Sequence, residues 1–400
     1  MKRKKWFAAA LSAWMILEVC LGTGFSGDRA MAGEAEPAAA ERTPGVEERA
    51  LELGESIAVY PTVAGMEDQE LEKTINTRIL EDTGMVSYIT RISQLISGGK
   101  LRVGWRGNVL EDVFSCAVSA EGAITSPRSD FLWTWSNIDL LDGHEIALDE
   151  LFQDPPAAKE YLEILLEEQV APELSAYLQS GNVTPLPDGF WLTRRGLVLL
   201  YPREQWCTLN DRAGDLLIGW NEIQDVLDLS EGSILERIGV PAMLELTEES
   251  LAELQEMTLT GQVPDLPVLL GSSLQEAVEA WHLLIDPDLY ENGRMISLDG
   301  GLFRNVFLLT DALSESWEES RVEGIRLDSG CLFGLRIGQT KASEWHQMLG
   351  EPDMTVEFDE EKAEANRIVP GKRDYYSWEG YGLRLHADGQ GILVSIILTE

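Results

Sequence analysis

Apolar residues recur along this chain with two different periods, and this mixture most restricts the fold it can adopt. Leu71, Ile75 and Ile79 repeat every four residues, as one face of a helix does. Other apolar runs, such as Leu197–Tyr201, are short and bounded by turn residues, which is typical of strands. The two kinds of segment do not alternate in a βαβ rhythm. The pattern therefore predicts an α+β fold with a mixed or antiparallel sheet and packed helices, followed by two small α+β repeat modules.

The N-terminus has the charge and hydropathy pattern of an export segment. Four basic residues within Met1–Lys5 precede an apolar run from Trp6 to Leu17. A positive end stays on the cytoplasmic side of a membrane while the apolar stretch inserts. Residues 1–32 are therefore predicted to be a signal peptide or an N-terminal anchor. The rest of the chain is then extracytoplasmic, either secreted or held at the outer face of the cytoplasmic membrane.

Three fates of this segment stay open. Ala30-Met31-Ala32 offers a cleavage site directly after Ala32. An uncleaved anchor is the second, because Trp6 to Phe25 approaches the roughly 20 residues that span a bilayer. Glu18 opposes that second reading, since an acidic group inside the apolar stretch is costly. A lipid on Cys20 is the third.

A chain of 400 residues is long enough for two or three domains. Residues 33–50 are rich in Ala, Glu and Pro, which predicts a disordered tether. We expect ordered structure to begin near Ser56. The predicted division is as follows: an α+β domain at 51–230, a helical connector at 231–265, and two α+β repeats at 266–400.

The repeats are predicted from two similar segments, each with a Gly shortly before a helix. Leu270-Gly271-Ser272-Ser273 precedes the first helix and Ile337-Gly338-Gln339-Thr340 precedes the second. Strand-like runs follow both helices. A Trp-His pair lies on each helix, at Trp281-His282 and Trp345-His346, although the two pairs differ in register by about one helical turn.

The chain carries 69 acidic and 31 basic residues, a formal net charge of −38. Such a protein repels nucleic acid and anionic lipid and attracts cations and basic proteins. The charge is spread along the whole chain, which is also what solubility alone would produce.

No catalytic, cofactor-binding or metal-binding residue is predicted. The four histidines, His144, His282, His346 and His386, lack the spacing of a metal site. The segment Asp286–Gly293 resembles a calcium loop, but Tyr290 takes a ligand position and the Gly comes too late. The acidic run Glu357–Glu364 predicts a solvated loop.

Two other residue types leave alternatives open. Cys116 and Cys207 lie in one predicted domain and are able to pair outside the cell, whereas three cysteines after cleavage favour free thiols. Four tryptophans fall on predicted strands, where a core role is the default and a carbohydrate platform is the alternative. These are Trp133, Trp135, Trp191 and Trp220.

An ordered series of segments in the first domain carries a resemblance to a known family. They are Tyr60-Pro61, Ile75–Ile79, Glu121-Gly122, Asn137–Leu140 with Gly143 to Phe152, and Phe190–Val198. Over residues 54–228 the chain resembles the extracytoplasmic module of RsiV-type lysozyme-sensing anti-sigma factors and PdaC-type peptidoglycan deacetylases. Two departures stand out: only five residues precede the apolar segment, so the sigma-binding region is absent, and no deacetylase domain follows.

The C-terminal repeats resemble small BamE/SmpA-type lipoprotein modules, which implies a protein-binding surface without chemistry. Gly338-Gln339-Thr340, Leu349–Pro352 and the strand pair at Gly382–Leu398 carry this resemblance.

Together these features predict a non-enzymatic envelope binding or sensing protein without a cofactor. The expected partner is a basic envelope protein, lysozyme-like as the resemblance implies, or a peptidoglycan fragment. A cell-wall glycan-acting enzyme or enzyme subunit and a structural assembly module are the alternatives.

Overall fold

The computed structural model describes twelve ranges of the chain: 44–53, 55–94, 101–122, 130–167, 186–201, 214–264, 266, 268–281, 287–290, 293–297, 306–311 and 319–400. Several predicted features lie outside them: the export segment with Cys20 and Ala32, most of the tether, Cys207 and His282. Within the described residues the predicted α+β class is confirmed, with several mixed and antiparallel sheets and packed helices. None of the helices described is long and apolar enough to cross a membrane.

The strands, in chain order, are β1 Gly45–Leu53, β2 Ser56–Ala64, β3 Leu101–Leu110, β4 Val113–Gly122, β5 Asp130–Asp139, β6 Gly189–Leu192, β7 Gly196–Tyr201, β8 Gly214–Gly219, β9 Pro287–Tyr290, β10 Gly293–Ser297, β11 Val306–Thr310, β12 Val322–Leu327, β13 Cys331–Leu332, β14 Leu335–Arg336, β15 Met354–Phe358, β16 Gly371–Trp378, β17 Tyr381–Asp388 and β18 Leu393–Thr399.

The helices are α1 Gln69–Asp82, α2 Met85–Gln94, α3 Pro155–Leu165, α4 Trp220–Ile223, α5 Ile234–Arg237, α6 Val240–Met243, α7 Glu248–Thr260, α8 Leu274–Trp281, α9 Ala342–Leu349 and α10 Glu360–Ala365, together with a 3₁₀ turn at Leu148–Leu151.

The first sheet has the strand order β1-β2-β3-β4-β5. Its neighbours are antiparallel except β2 and β3, which run parallel and share register at only Ile57 with Arg102 and Ala58 with Val103. Helices α1 and α2 cover one face of this sheet through apolar residues that include Ile75. The Asp68 side chain caps α1 by accepting hydrogen bonds from the first free backbone N–H groups.

Strand β1 corrects the predicted start of order. It begins at Gly45, inside the predicted tether and eleven residues before Ser56. Most of its side chains are exposed, so the segment lacks the alternating apolar pattern by which a strand is predicted. The strand is held instead by its antiparallel register with β2, from Gly45 opposite Ala64 to Leu53 opposite Ser56.

The second sheet, β6-β7-β8, is apolar on both faces. Trp191, Val198, Leu200 and Leu217 face a core that includes the C-terminal strands and helices. The alternate residues, such as Leu199, face a second core containing α3, α5 and the 3₁₀ turn. Because successive strand residues point to opposite sides, this short sheet is covered on both sides.

The third sheet has eight strands in the order β15-β16-β17-β18-β12-β11-β10-β9. It consists of two four-stranded antiparallel meanders, each preceded in the chain by a helix, joined where β12 pairs with β18. The turn before each helix makes the same backbone hydrogen bonds to its own meander. These run from Gly271 N to Val322 O (2.8 Å) and Leu274 N to Ser320 O (2.8 Å), and from Gly338 N to Leu393 O (2.7 Å) and Ala342 N to Gly391 O (2.8 Å).

Helix α4 begins directly after β8, because Gly219 ends that strand and the Glu222 carboxylate accepts the Gly219 backbone N–H at 2.7 Å. One local prediction is wrong. The acidic run Glu357–Glu364 is not a loop. It forms the end of β15 and most of α10, since Asp359 caps that helix and Ala363 buries its inner side.

Replacing Leu200, on the face of the second sheet that packs against the C-terminal strands, should destabilise the protein strongly. Leu200 is 3 % exposed and Leu141 is 63 % exposed. We expect Leu200→Ala to lower the free energy of unfolding by about 2–5 kcal/mol, because it removes buried methyl groups and leaves a cavity. The matched control Leu141→Ala should stay within about 0.5 kcal/mol of the unmodified protein. Urea denaturation followed by tryptophan fluorescence measures both, and equal effects would contradict the assigned packing.

Candidate functional site

A groove of about 880 Å³ lies between the first sheet, α7 and the hairpin β13–β14. A smaller cavity of about 190 Å³ adjoins it and shares Arg194, Glu253, Pro264 and Phe333 with it. The lining of the groove is Glu48, Gly104, Trp105, Arg106, Gly107, Asn108, Ser119, Trp191, Arg194, Glu253, Glu256, Met257, Thr260, Gln262, Pro264, Leu266 and Phe333.

Strand β3 forms the floor of the groove with five consecutive residues, Gly104 to Asn108. Ser119 on β4, which is paired with Gly104, adds to the same floor. A Cβ atom on Gly104 would contact only the Ser119 Oγ, at 3.8 Å, so the missing side chain leaves the floor open.

Trp191 on β6 forms a wall of the groove and is 2 % exposed. Its indole Nε1 is buried and has no hydrogen-bond partner among the described residues. A buried donor without an acceptor costs about 1–3 kcal/mol.

Other tryptophan surfaces near the groove are already engaged. The Arg106 guanidinium lies over the Trp133 ring at 4.6 Å from its centre and forms an ion pair with Asp215 at 2.8 Å. Burial lowers the pKa of Arg106 to about 10, although the negative charge of Asp215 by itself would raise that pKa. The Trp105 Nε1 donates to the Glu48 carboxylate at 3.1 Å. These contacts fix the aromatic side of the groove.

Helix α7 supplies the acidic rim. Thr247 caps the helix, and Glu253 and Glu256 lie three residues apart on it, so both fall on the side that faces the groove. Both side chains are exposed, and within the described part of the chain neither has a hydrogen bond or ion pair. With Glu48, three carboxylates therefore line one groove.

The three histidines in the described part of the chain, His144, His346 and His386, do not line the groove. His346 and its neighbour Trp345 both reach Asp374, His346 Nε2 at 2.6 Å and Trp345 Nε1 at 3.1 Å, and Thr355 adds a hydroxyl at 2.6 Å. Burial alone would raise the pKa of Asp374, but the hydrogen bonds from Thr355, His346 and Trp345 hold it below its usual value. The Trp-His pair thus fastens α9 to β16.

His386 is fully buried on β17, and its Nε2 lies 2.8 Å from the Val369 carbonyl oxygen. Burial lowers its pKa to about 4, and the nearby Arg373 acts in the same direction. His144 is partly exposed, and its hydrogen bond to Asp142 raises its pKa.

One group of side chains has the composition of a metal site. Ligand atoms of Asp139, Asp142 and His144 lie within 4.8 Å of one another. Arg237, however, forms ion pairs with Asp139 and, at 2.8 Å, with Asp112. The Arg237 guanidinium therefore already neutralises part of this cluster. The ion pairs of Arg237 with Asp112 and Asp139 hold α5 to the start of β4 and the end of β5.

The two cysteines that the structure describes have unreactive thiols. Cys116 and Cys331 are buried free thiols, and burial raises the pKa of both, that of Cys331 to about 11. Cys207, the predicted alternative partner of Cys116, lies outside the described residues. So do parts of the calcium-like segment Asp286–Gly293, whose described residues belong to β9 and β10.

Sequence reasoning pointed to one groove residue, Trp191, as a core tryptophan, and it missed the rest of the site. Gly104 and the pair Glu253 and Glu256 carry no local motif. The pair's three-residue spacing on an amphipathic helix was visible, but 69 acidic residues offer many such pairs.

No family model and no curated protein matches the sequence. Among solved structures, the chain is similar to a DUF3298 family member from Bacteroides fragilis (12 % identity, TM-score 0.40, 50 % of this chain and 99 % of that one). It is also similar to a DUF3298 family protein from Pseudomonas aeruginosa (12 %, 0.31, 48 % and 95 %) and to the DUF4309 family protein YjgB from Bacillus subtilis (11 %, 0.26, 38 % and 97 %). These neighbours belong to families of unknown function.

The buried His386 predicts a rise of stability with pH. Its pKa is about 4 in the folded chain and about 6.5 when unfolded, so between these values the unfolded state binds a proton that the folded state does not. The free energy of unfolding should therefore increase by about 3 kcal/mol from pH 4 to 6.5. Urea midpoints across this window measure it.

His386→Gln should flatten this pH dependence. His144→Gln should leave the slope between pH 4 and 6.5 nearly unchanged, because a raised pKa contributes stability that is present below the unfolded pKa of about 6.5 and is lost only as pH rises above it. An unchanged slope in His386→Gln would show that other groups control the acid response.

Proposed function

We propose that this chain is a non-enzymatic extracytoplasmic binding protein, and that its ligand lies in the groove between the first sheet and α7. The observation that carries the proposal is the groove itself, which has a volume of about 880 Å³ and combines Trp191 with the carboxylates of Glu253 and Glu256 in its lining. A large concave site with an apolar lining and a few converging polar groups is the usual form of a ligand site. The export segment predicted at residues 1–32 supports a location outside the cytoplasm.

The ligand we propose is a basic protein of the envelope, with a peptidoglycan fragment as the other ligand class. Glu48, Glu253 and Glu256 line the groove, and a net charge of −38 favours encounter with cationic partners. The proposed RsiV/PdaC-type relationship points to a lysozyme-like protein. The BamE-like character of the C-terminal meanders remains a prediction about a further protein-binding surface.

A glycan-acting enzyme is the second candidate, because carboxylates and tryptophans meet in the same groove. Glycoside cleavage needs two positioned carboxyl groups. Release of reducing ends from purified peptidoglycan by the full chain, and its loss in Glu253→Gln, would favour the enzyme over the binding protein.

Removing the acidic rim should weaken binding. We expect Glu253→Gln with Glu256→Gln to reduce the affinity of the full chain for lysozyme about tenfold, since two charge contacts of roughly 0.7 kcal/mol each are lost. The control is Glu360→Gln with Glu361→Gln on α10, which removes equal charge at exposed positions outside the groove. Titration calorimetry at low and high salt measures both, and the difference should shrink as salt rises. Equal losses in the two variants would assign the effect to net charge alone.

Filling the groove should abolish binding without unfolding the protein. Gly104→Phe places a ring above Ser119, where a Cβ has room. We expect at least a tenfold loss of affinity for lysozyme or for soluble peptidoglycan fragments, whichever binds. Gly389→Phe is the control, because nothing lies within 4 Å of its Cβ position. Unchanged binding in Gly104→Phe, with a normal urea midpoint, would place the ligand elsewhere.

A further inference from the structure

We infer that the groove and the smaller cavity beside it form one ligand site, and that Phe333 contacts the ligand where it passes from one space to the other. The inference rests on the proposed function and adds a contact residue and a ligand chemistry to it: an apolar surface next to a polar group that enters the smaller cavity. Three features support it, namely the residues that the two spaces share, the backbone conformation at Phe333, and the anchoring of the hairpin that carries it.

The two spaces adjoin at four residues. Arg194, Glu253, Pro264 and Phe333 line both the groove of about 880 Å³ and the cavity of about 190 Å³. Phe333 and Pro264 are the apolar members of this set, so a ligand that occupies both spaces meets an apolar contact at their junction. The Phe333 side chain packs against the core that includes Trp191, yet it stays partly exposed.

Three aromatic side chains line the groove, and they differ in what they offer a ligand. Trp191 is only 2 % exposed. Trp105 is partly exposed, and its Nε1 already donates to Glu48. Phe333 is the one of the three that also lines the smaller cavity. An aromatic ring without a polar atom suits a ligand surface rich in C–H groups, which either the stem of a side chain or the face of a sugar ring supplies.

The backbone at Phe333 is unusual for a bulky residue. The hairpin β13–β14 pairs Leu332 with Leu335, so Phe333 and Gly334 are the central residues of its turn. Both have positive φ, 48° and 80°. Two-residue turns of this form favour Asn-Gly or Asp-Gly, and a bulky side chain in the left-handed region is rare. Such conformations cluster at ligand sites, so we assign the phenyl group at this position to what its ring contacts.

The hairpin is anchored at its tip and at its base. The Gly334 backbone N–H donates to the Met243 carbonyl oxygen at 3.0 Å, and a Cβ on Gly334 would lie 2.4 Å from the Glu245 carbonyl oxygen. At the base, a Cβ on Gly219 would lie 2.6 Å from the Gly330 Cα, so β8 and the start of the hairpin are in close backbone contact. A contact residue on a fixed turn needs little ordering when a ligand binds.

The charged side chains of the smaller cavity are of both signs: Glu111, Glu249, Glu253, Arg194 and Arg195. Both arginines already have an interaction partner within the protein, and the three glutamates are exposed. A polar group of either charge therefore meets an opposite charge here. Charge alone does not select the ligand at this end of the site, and the apolar contact at Phe333 adds selection.

Replacing Phe333 tests the contact. Titration calorimetry of the full chain with lysozyme in one arm and soluble peptidoglycan fragments in the other identifies which source supplies the apolar surface. We expect Phe333→Ala to weaken binding of that ligand at least tenfold, and Phe333→Tyr, which keeps the ring, to stay within threefold. Phe333→Leu takes the place of Phe333→Ala if the latter fails to fold.

Ile337→Ala is the matched control. Ile337 is partly exposed and packs against the same core, but it lines neither space. We expect it to lower the urea midpoint and to leave the affinity unchanged. If Phe333→Ala behaves in the same way, Phe333 only fills space and the contact role is wrong.

Filling the smaller cavity tests whether the two spaces act as one site. Ala242 is exposed on α6 and lines the smaller cavity but not the groove. We expect Ala242→Trp to weaken binding of the same ligand at least tenfold, while Ala365→Trp, at an exposed position on α10 that lines neither space, leaves it unchanged. Unchanged affinity in Ala242→Trp would overturn the single site.

The outcome separates this inference from the proposed function. If Gly104→Phe abolishes binding while Phe333→Ala and Ala242→Trp leave it intact, the groove alone is the site, so the proposed function stands and the inference fails. If neither lysozyme nor peptidoglycan fragments bind the unmodified chain, the proposed function fails and the inference fails with it.

Discussion

The double-sided burial of the short sheet β6-β7-β8 is the constraint on which the rest of the structure depends. Trp191, Val198 and Leu200 belong to one core and Phe190 and Leu199 to another. A sheet with two apolar faces is stable only when both are covered. One cover comes from the neighbouring helices and the other from the C-terminal half, so the two halves of the chain are joined by a continuous core rather than by a linker alone.

The groove follows from that arrangement. The C-terminal cover brings α7 and Phe333 opposite the floor of β3, while Trp191 closes one side. Two polar contacts fix the position of β3 at this junction. Arg106 forms an ion pair with Asp215 on β8, and Trp105 donates a hydrogen bond to Glu48 on β1. Gly104 contributes no side chain to the floor of this space.

In the C-terminal half, a few polar side chains likewise join neighbouring elements of the meanders. In the second meander, one buried carboxylate, Asp374, receives hydrogen bonds from Trp345, His346 and Thr355 and so ties α9 to two strands. Asp374 is 4 % exposed, and a buried charge of this kind is tolerated because its lone pairs are satisfied. The Trp345-His346 pair therefore has a structural role in this half of the chain.

The sequence by itself determined the class of the fold and most of its elements. The four-residue period of Leu71, Ile75 and Ile79 predicted α1, because helix periodicity is a local property of the sequence. Strand β1 and the groove were decided only by tertiary structure. Strand β1 is held by backbone pairing, which leaves no apolar pattern, and the groove joins residues as distant as Glu48, Gly104 and Glu256. Each is ordinary in its own segment, and only the two-sided core brings them together.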